Sequence, residues 1–104
     1  MAQTPEGRVK EAVKRELKKR GIWYYLPMQN GMGVVGIPDF ICCWDGHFLA
    51  IETKAPGKLK NLTANQVKRQ DEIKTAGGTA VTVDSVAMLK EILDVYEKVE
   101  KPAE

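Results

Sequence analysis

The sequence has few of the side chains that bind soft metal ions or form disulfides. Its 104 residues include one histidine and two cysteines. Cys42 and Cys43 are adjacent, so in a strand they point to opposite faces and cannot bridge each other. One histidine without a spaced set of cysteines excludes a zinc site. We therefore expect reduced thiols and no zinc.

Long apolar runs are also missing. No stretch approaches the roughly 20 apolar residues of a membrane-spanning helix, and the N-terminal segment lacks the apolar core of a signal peptide. With 104 residues, 43% of them hydrophobic and 29% charged, the chain has the size and composition of one globular domain. We expect a single domain over residues 1–104, cytoplasmic and without membrane contact.

The sequence does contain the pattern of a β-hairpin. Two short apolar runs, residues 40–44 and 48–51, are separated by Asp45-Gly46, a pair typical of a tight hairpin turn. The single histidine, His47, lies at this turn. We therefore expect it to have no catalytic role.

The charged residues of this hairpin lie at the end opposite the turn. Asp39 precedes the first run, and Glu52 and Lys54 follow the second, so pairing of the strands brings them together. Burying charge there is unfavourable unless something pairs it. Asp39, Glu52 and the Thr53 carbonyl offer hard oxygen ligands for Mg²⁺ or Mn²⁺. With Lys54 holding or deprotonating a water molecule, this set suits hydrolysis of a phosphodiester.

The motif around these residues resembles a nuclease signature. PD at residues 38–39, followed by ETK at residues 52–54, is similar to the PD-(D/E)xK pattern. The longer strings GIPD at residues 36–39 and ETKAPG at residues 52–57 resemble the VRR-Nuc (virus-type replication-repair nuclease) family. That family name also suggests a phage or mobile-element origin.

The resemblance extends over nearly the whole chain. It includes TPE at residues 4–6, LTANQ at residues 62–66 and the segment from residue 77 to residue 85. It implies that Glu6 joins the metal site, although an acid at this place also complements a helix dipole. Glu11 and Glu16 are alternatives deeper in the helix, and we interpret them as surface partners of nearby lysines and arginines. The resemblance further implies that Gln66 points back at the active site, where an ordinary polar helix residue is the alternative.

The residue pattern predicts an α/β fold with a central mixed sheet flanked by helices, in the order α-β-β-β-α-β-α. Helices are expected from a Thr4 cap to Gly21, from a Thr63 cap to about Ala76, and from residue 86 to residue 99. Strands are expected at residues 22–26, in the two arms of the hairpin and at residues 79–83. This order matches the restriction-endonuclease-like core of PD-(D/E)xK proteins.

Basic and amide side chains near the motif suggest contacts with DNA. Residues 1–20 hold seven Lys or Arg and three Glu, whereas residues 84–104 hold three Lys and six Asp or Glu. We expect Lys58 and Lys60, on a flexible loop after Lys54, to contact phosphates. Gln29 and Asn30 belong to a glycine-rich loop that either contacts DNA or only turns the chain. The glycine spacing is not that of a nucleotide-binding loop.

Together these features predict a Mg²⁺- or Mn²⁺-dependent, structure-selective DNA endonuclease. The chain is too short for a separate DNA-reading module, so we expect it to recognise DNA shape. By analogy with junction resolvases we expect a homodimer that cuts branched DNA such as a Holliday junction. The alternatives are a flap, nick or restriction-type nuclease using the same site, and a DNA-binding module without catalysis.

Overall fold

The fold is a four-stranded sheet with three helices. The computed structural model describes residues 3–28 and 33–99. Along them the elements are α1 (Pro5–Lys19), β1 (Trp23–Tyr25), β2 (Phe40–Trp44), β3 (His47–Thr53), α2 (Ala64–Thr75), β4 (Thr79–Val83) and α3 (Val86–Val99). The predicted α/β class and element order are confirmed. In this part of the chain no helix is long and apolar enough to cross a membrane.

Local sequence signals set the bounds of α1. The Thr4 hydroxyl accepts a hydrogen bond from the Gly7 N–H at 3.0 Å, and Pro5 occupies the first turn. Gly21, at a φ of 72°, lies just beyond the end of the helix. Val9, Val13 and Leu17 recur at helical spacing and are all buried.

The sheet has the strand order β1-β2-β3-β4 and is mixed. β1, β2 and β3 are antiparallel neighbours, whereas β4 runs parallel to β3. Asp45 and Gly46 form the predicted hairpin turn, with positive φ values of 54° and 78°. Glu52 and Thr53, which follow the apolar run, belong to β3 and pair with β4. β1 is shorter than predicted, at three residues.

The two faces of the sheet are covered differently. α1 and α3 pack against one face and enclose the core, in which Leu17, Phe40, Ile51, Leu89 and Leu93 are fully buried. α2 packs on the other face, over β4. It therefore leaves the β1 end of this second face open, where Trp23 is 62% exposed and Tyr25 is 51% exposed.

An ion-pair cluster joins α1 to α3 at the side of the core. The Arg20 guanidinium donates to Glu16 at 2.7 Å, to Asp94 at 3.0 Å and to Glu97 at 3.3 Å. The sequence predicts Glu16 to be a surface partner of a basic residue. The partner is present, but Glu16 is buried, because the end of α3 lies over it. We call these four residues the Arg20 cluster.

Candidate active site

The candidate site lies where β2 begins and β3 ends. Phe40 pairs with Ile51, so Asp39 and Glu52 follow as neighbours at this end of the hairpin. The Lys54 backbone N–H donates to the Val83 carbonyl at 2.9 Å, which holds the chain against β4 as it leaves the sheet. The register therefore brings the three charged residues of the motif to one end of the sheet.

Glu52 is the most buried charge at this end, at 2% exposure. Its Oε2 accepts a hydrogen bond from Gln66 Nε2 at 2.9 Å and lies 3.7 Å from Lys54 Nζ. Its Oε1 is buried and has no hydrogen-bond partner among residues 3–28 and 33–99. A buried carboxylate oxygen without a partner is unfavourable unless a cation or a proton binds there.

The environment of Glu52 opposes its ionisation. Burial, together with the negative charges of Asp39 and Glu6, raises the pKa of Glu52 to about 7. The Lys54 ammonium and the Asp39 backbone N–H oppose this rise. Near neutral pH this buried carboxyl group is therefore only partly ionised.

Gln66 joins the charged residues to α2. Its Oε1 accepts hydrogen bonds from Lys54 Nζ and from the Thr63 N–H, both at 3.0 Å. The Thr63 hydroxyl accepts from the Gln66 N–H at 3.1 Å, which completes a capping box. The start of α2 thus fixes an amide between Lys54 and Glu52.

The carboxylate of Asp39 is held by the end of β3. Its Oδ2 accepts from the Thr53 N–H at 3.0 Å and from the Thr53 hydroxyl at 2.6 Å. Its Oδ1 lies 3.6 Å from the ammonium of Lys10 on α1. The sequence pattern indicated neither the hydroxyl contact nor Lys10. Lys10 follows Glu6 by one helical turn, so a helix that directs Glu6 to the site directs Lys10 there as well.

Glu6 lies in the first turn of α1, within range to act on Glu52 by charge. No group of three or more His, Cys, Asp or Glu residues is placed to hold a metal ion within residues 3–28 and 33–99. The role of Glu6 as a direct or water-mediated ligand thus stays a prediction.

The donor atoms at this site suit a hard divalent cation. They are the unpartnered Oε1 of Glu52, the Oδ1 of Asp39 and the backbone carbonyl of Thr53 at the strand end. Oxygen donors that include carboxylates are the ligands preferred by Mg²⁺ and Mn²⁺. The residues present therefore fit such an ion.

The loop before β2 is fixed against α2. Gly36 has a φ of +87°, and a Cβ there would lie 2.5 Å from the backbone carbonyl carbon of Asn65. Only glycine permits this approach together with this φ. The contact fixes the loop that leads into β2 against the start of α2.

The segment after Lys54 contains a hydrogen-bonded turn. The Gly57 N–H donates to Asp84 Oδ2 at 2.9 Å, and the Lys58 N–H donates to the Ala55 carbonyl at 3.0 Å. These bonds define the turn, and the flexibility expected of this loop stays a prediction. Lys58 and Lys60 are both exposed on it. Gln29 and Asn30 lie outside the described residues.

Among the comparisons with known proteins, only the comparison with solved structures gives a match, and it supports the fold. No family model and no curated protein matches the sequence. A solved structure described as a VRR_NUC domain superposes with a TM-score of 0.78 and 21% sequence identity, covering 90% of this chain and 99% of that chain. The chain has the VRR_NUC domain fold. The likeness implied by the GIPD and ETKAPG strings is thus confirmed for the fold.

Proposed function

We propose that this protein is a metal-dependent endodeoxyribonuclease that hydrolyses phosphodiester bonds at the Asp39–Glu52–Lys54 site. The observation that carries the proposal is the buried Glu52 carboxylate, with one oxygen unpartnered, beside Asp39. This arrangement destabilises the protein unless it binds a cation. The VRR_NUC domain fold of the chain supports a nuclease over other metal-dependent activities.

Each residue of the site has a role in this chemistry. Asp39, Glu52 and the Thr53 carbonyl hold Mg²⁺ or Mn²⁺, with Glu6 as a direct or water-mediated ligand. When bound, the ion polarises the scissile phosphate and stabilises the charge that grows on it. Lys54 orients or deprotonates the attacking water, and its hydrogen bond to Gln66 fixes its ammonium group. Gln66 positions Lys54 and Glu52 relative to each other.

Exposed basic side chains next to the site supply affinity for the DNA backbone. Lys58 and Lys60 project from the hydrogen-bonded turn that directly follows the catalytic lysine. Their contacts with phosphates carry no sequence information, so they suit a nuclease that selects DNA by shape. Gln29 and Asn30 are proposed to add contacts from the neighbouring loop.

We propose that the nuclease acts as a homodimer and cuts branched DNA. Two sites related by a two-fold axis match the symmetry of a four-way junction. The open part of the second sheet face supports an interface, because Trp23 and Tyr25 expose large aromatic surfaces on an edge strand. Val95, 59% exposed on α3, marks a second candidate surface.

Cleavage of a panel of labelled DNAs tests this proposal. The panel contains a four-way junction, a flap, a nicked duplex and a linear duplex, each with Mg²⁺ or Mn²⁺ and with Lys54→Ala as control. We expect paired, symmetric nicks on the junction that are lost in the variant. Equal cutting of all substrates would support the nuclease activity and contradict selectivity for the junction. DNA binding without any cutting would instead indicate a non-catalytic binding module.

A further inference from the structure

The two oxygens of Asp39 are held with different strength. Two hydrogen bonds from Thr53, at 2.6 and 3.0 Å, fix Oδ2. The contact between Oδ1 and Lys10 Nζ is 3.6 Å, beyond the range of about 2.7–3.2 Å for a hydrogen bond. The Lys10 side chain is 35% exposed, and the Asp39 side chain is 12% exposed. Lys10 is therefore a loosely held counter-ion at the inner edge of the site.

Stability does not explain this ion pair. Partly exposed ion pairs contribute only about 0–1 kcal/mol to folding. Lys10 is also outside the buried apolar face that α1 turns to the core. Among the described residues, its ion pair is with an oxygen of the proposed metal site.

We infer that Lys10 and the divalent cation compete for Oδ1 of Asp39, and that the displaced Lys10 ammonium then contacts a DNA phosphate beside the scissile one. This inference rests on the proposed function. A divalent ion and an ammonium group on the same oxygen repel each other strongly in a partly buried site. Lys10, with its long stem and partial exposure, is the group that is free to move.

The charge balance of the site favours a contact between the released Lys10 and DNA. Asp39, Glu52 and Glu6, with Lys10 and Lys54, form a set of three acids and two cations. A divalent ion at the carboxylates leaves this set with surplus positive charge, which DNA phosphates neutralise. When the metal binds, Lys10 therefore exchanges its contact with Asp39 for a contact with a DNA phosphate.

Calorimetric titration with Mn²⁺, without DNA, tests the competition. Lys10→Met keeps the length of the side chain and removes its charge. Lys19→Met is the matched control, because position 19 lies about 14 Å further along α1 on the opposite side of the helix. We expect Lys10→Met to bind Mn²⁺ about two- to fivefold more tightly than wild type. Lys10→Arg and Lys19→Met should bind as wild type does.

The phosphate contact is tested by DNA binding in a Lys54→Ala background, so that the DNA is not cut. Fluorescence anisotropy with Mn²⁺ is measured over a series of NaCl concentrations. Adding Lys10→Met should reduce the slope of log affinity against log salt by about one and weaken binding. Lys10→Arg should restore both. A merely structural lysine would not tighten metal binding while weakening DNA binding.

The outcomes separate this inference from the proposed function. If wild type binds Mn²⁺ and Lys10→Met binds it equally or more weakly, the competition is wrong and the nuclease proposal stands. If metal binding tightens but the salt slope is unchanged, the phosphate contact is wrong. If wild type binds no Mn²⁺, both the proposed function and the inference fail.

Discussion

The molecule contains two ionic clusters that differ in how completely their charges are paired. In the Arg20 cluster one guanidinium donates to all three acids, Glu16, Asp94 and Glu97. At the candidate site Glu52 is more deeply buried than any of these acids, yet one of its oxygens has no partner.

The difference separates a structural role from a functional one. A buried ion pair with satisfied hydrogen bonds is expensive to break, and it leaves no buried oxygen without a partner. A buried, unpartnered carboxylate reduces the stability of the protein until a cation or a proton binds. The Arg20 cluster therefore holds α1 to α3, whereas under the proposed function the Glu52 site binds an ion.

Replacing the buried acid should reduce DNA cleavage at the candidate site but not in the Arg20 cluster. This is the largest effect that we expect. Glu52→Gln removes a ligand charge and should reduce DNA cleavage by at least about 10³-fold, since metal stabilisation of the transition state is worth several kcal/mol. Glu16→Gln is the matched control, because it neutralises another buried acid, outside the site. It should cut at close to the wild-type rate. Similar losses in both variants would contradict the distinction.

The pH dependence of stability distinguishes the clusters next. The pKa of Glu52 is raised from its ordinary 4.5 to about 7. The neutral form is therefore favoured in the folded protein, and the stability it gives is present below pH 4.5 and is lost as the pH rises through about 7. Without metal, the free energy of unfolding of wild type should fall by about 2–3 kcal/mol relative to that of Glu52→Gln between pH 5 and pH 8. Urea denaturation of both proteins across this pH range measures this change. A difference in free energy of unfolding that stays constant with pH would contradict the prediction.

Breaking the Arg20 cluster should affect stability but not chemistry. Arg20→Leu leaves Glu16 buried without its cation and also frees Asp94 and Glu97. We expect a loss of about 2 kcal/mol in the free energy of unfolding, reduced from the value for a fully buried pair by partial exposure. Cleavage by the folded variant should stay near wild type. A loss of cleavage with unchanged stability would reverse the roles given to the two clusters.

The smallest expected effect on stability is at Gln66. Gln66→Leu removes the side-chain half of the capping box and the hydrogen bonds to Glu52 and Lys54. We expect a loss of about 1 kcal/mol in stability, typical for a helix cap. Cleavage should fall by more than that loss of folded protein explains, because Lys54 loses its fixed position. Melting curves and cleavage rates of the same samples test both parts.

The fold was predictable because its local signals agree with one another. The Asp45-Gly46 turn, the Thr4 and Thr63 caps and the two apolar arms each specify their own element. These signals also set the hairpin register, which places Asp39 beside Glu52. Boundaries that depend on tertiary pairing, such as those of the edge strand β1, were less accurate.

The finer contacts of the site depend on how separate elements pack. The link from Lys10 to Asp39 requires the position of α1 relative to the hairpin, which no local pattern gives. The Thr53 hydroxyl reaches Asp39 because the carboxylate lies at the sheet end, where the alternation of faces no longer separates the two side chains. The turn after Lys54 is hydrogen-bonded to Asp84, which is 27 residues further along the chain than Gly57.

The most direct test of the central claim is thermal unfolding at pH 8 with and without saturating Mn²⁺, for wild type and Glu52→Gln. If the unpartnered carboxylate is a cation site, Mn²⁺ should stabilise wild type by about 3 kcal/mol at 100 times its Kd. That raises the Tm by roughly 10 °C or more for a domain of this size. Glu52→Gln should melt higher than metal-free wild type and respond little to Mn²⁺. An equal response of both proteins, or none in wild type, would contradict the account.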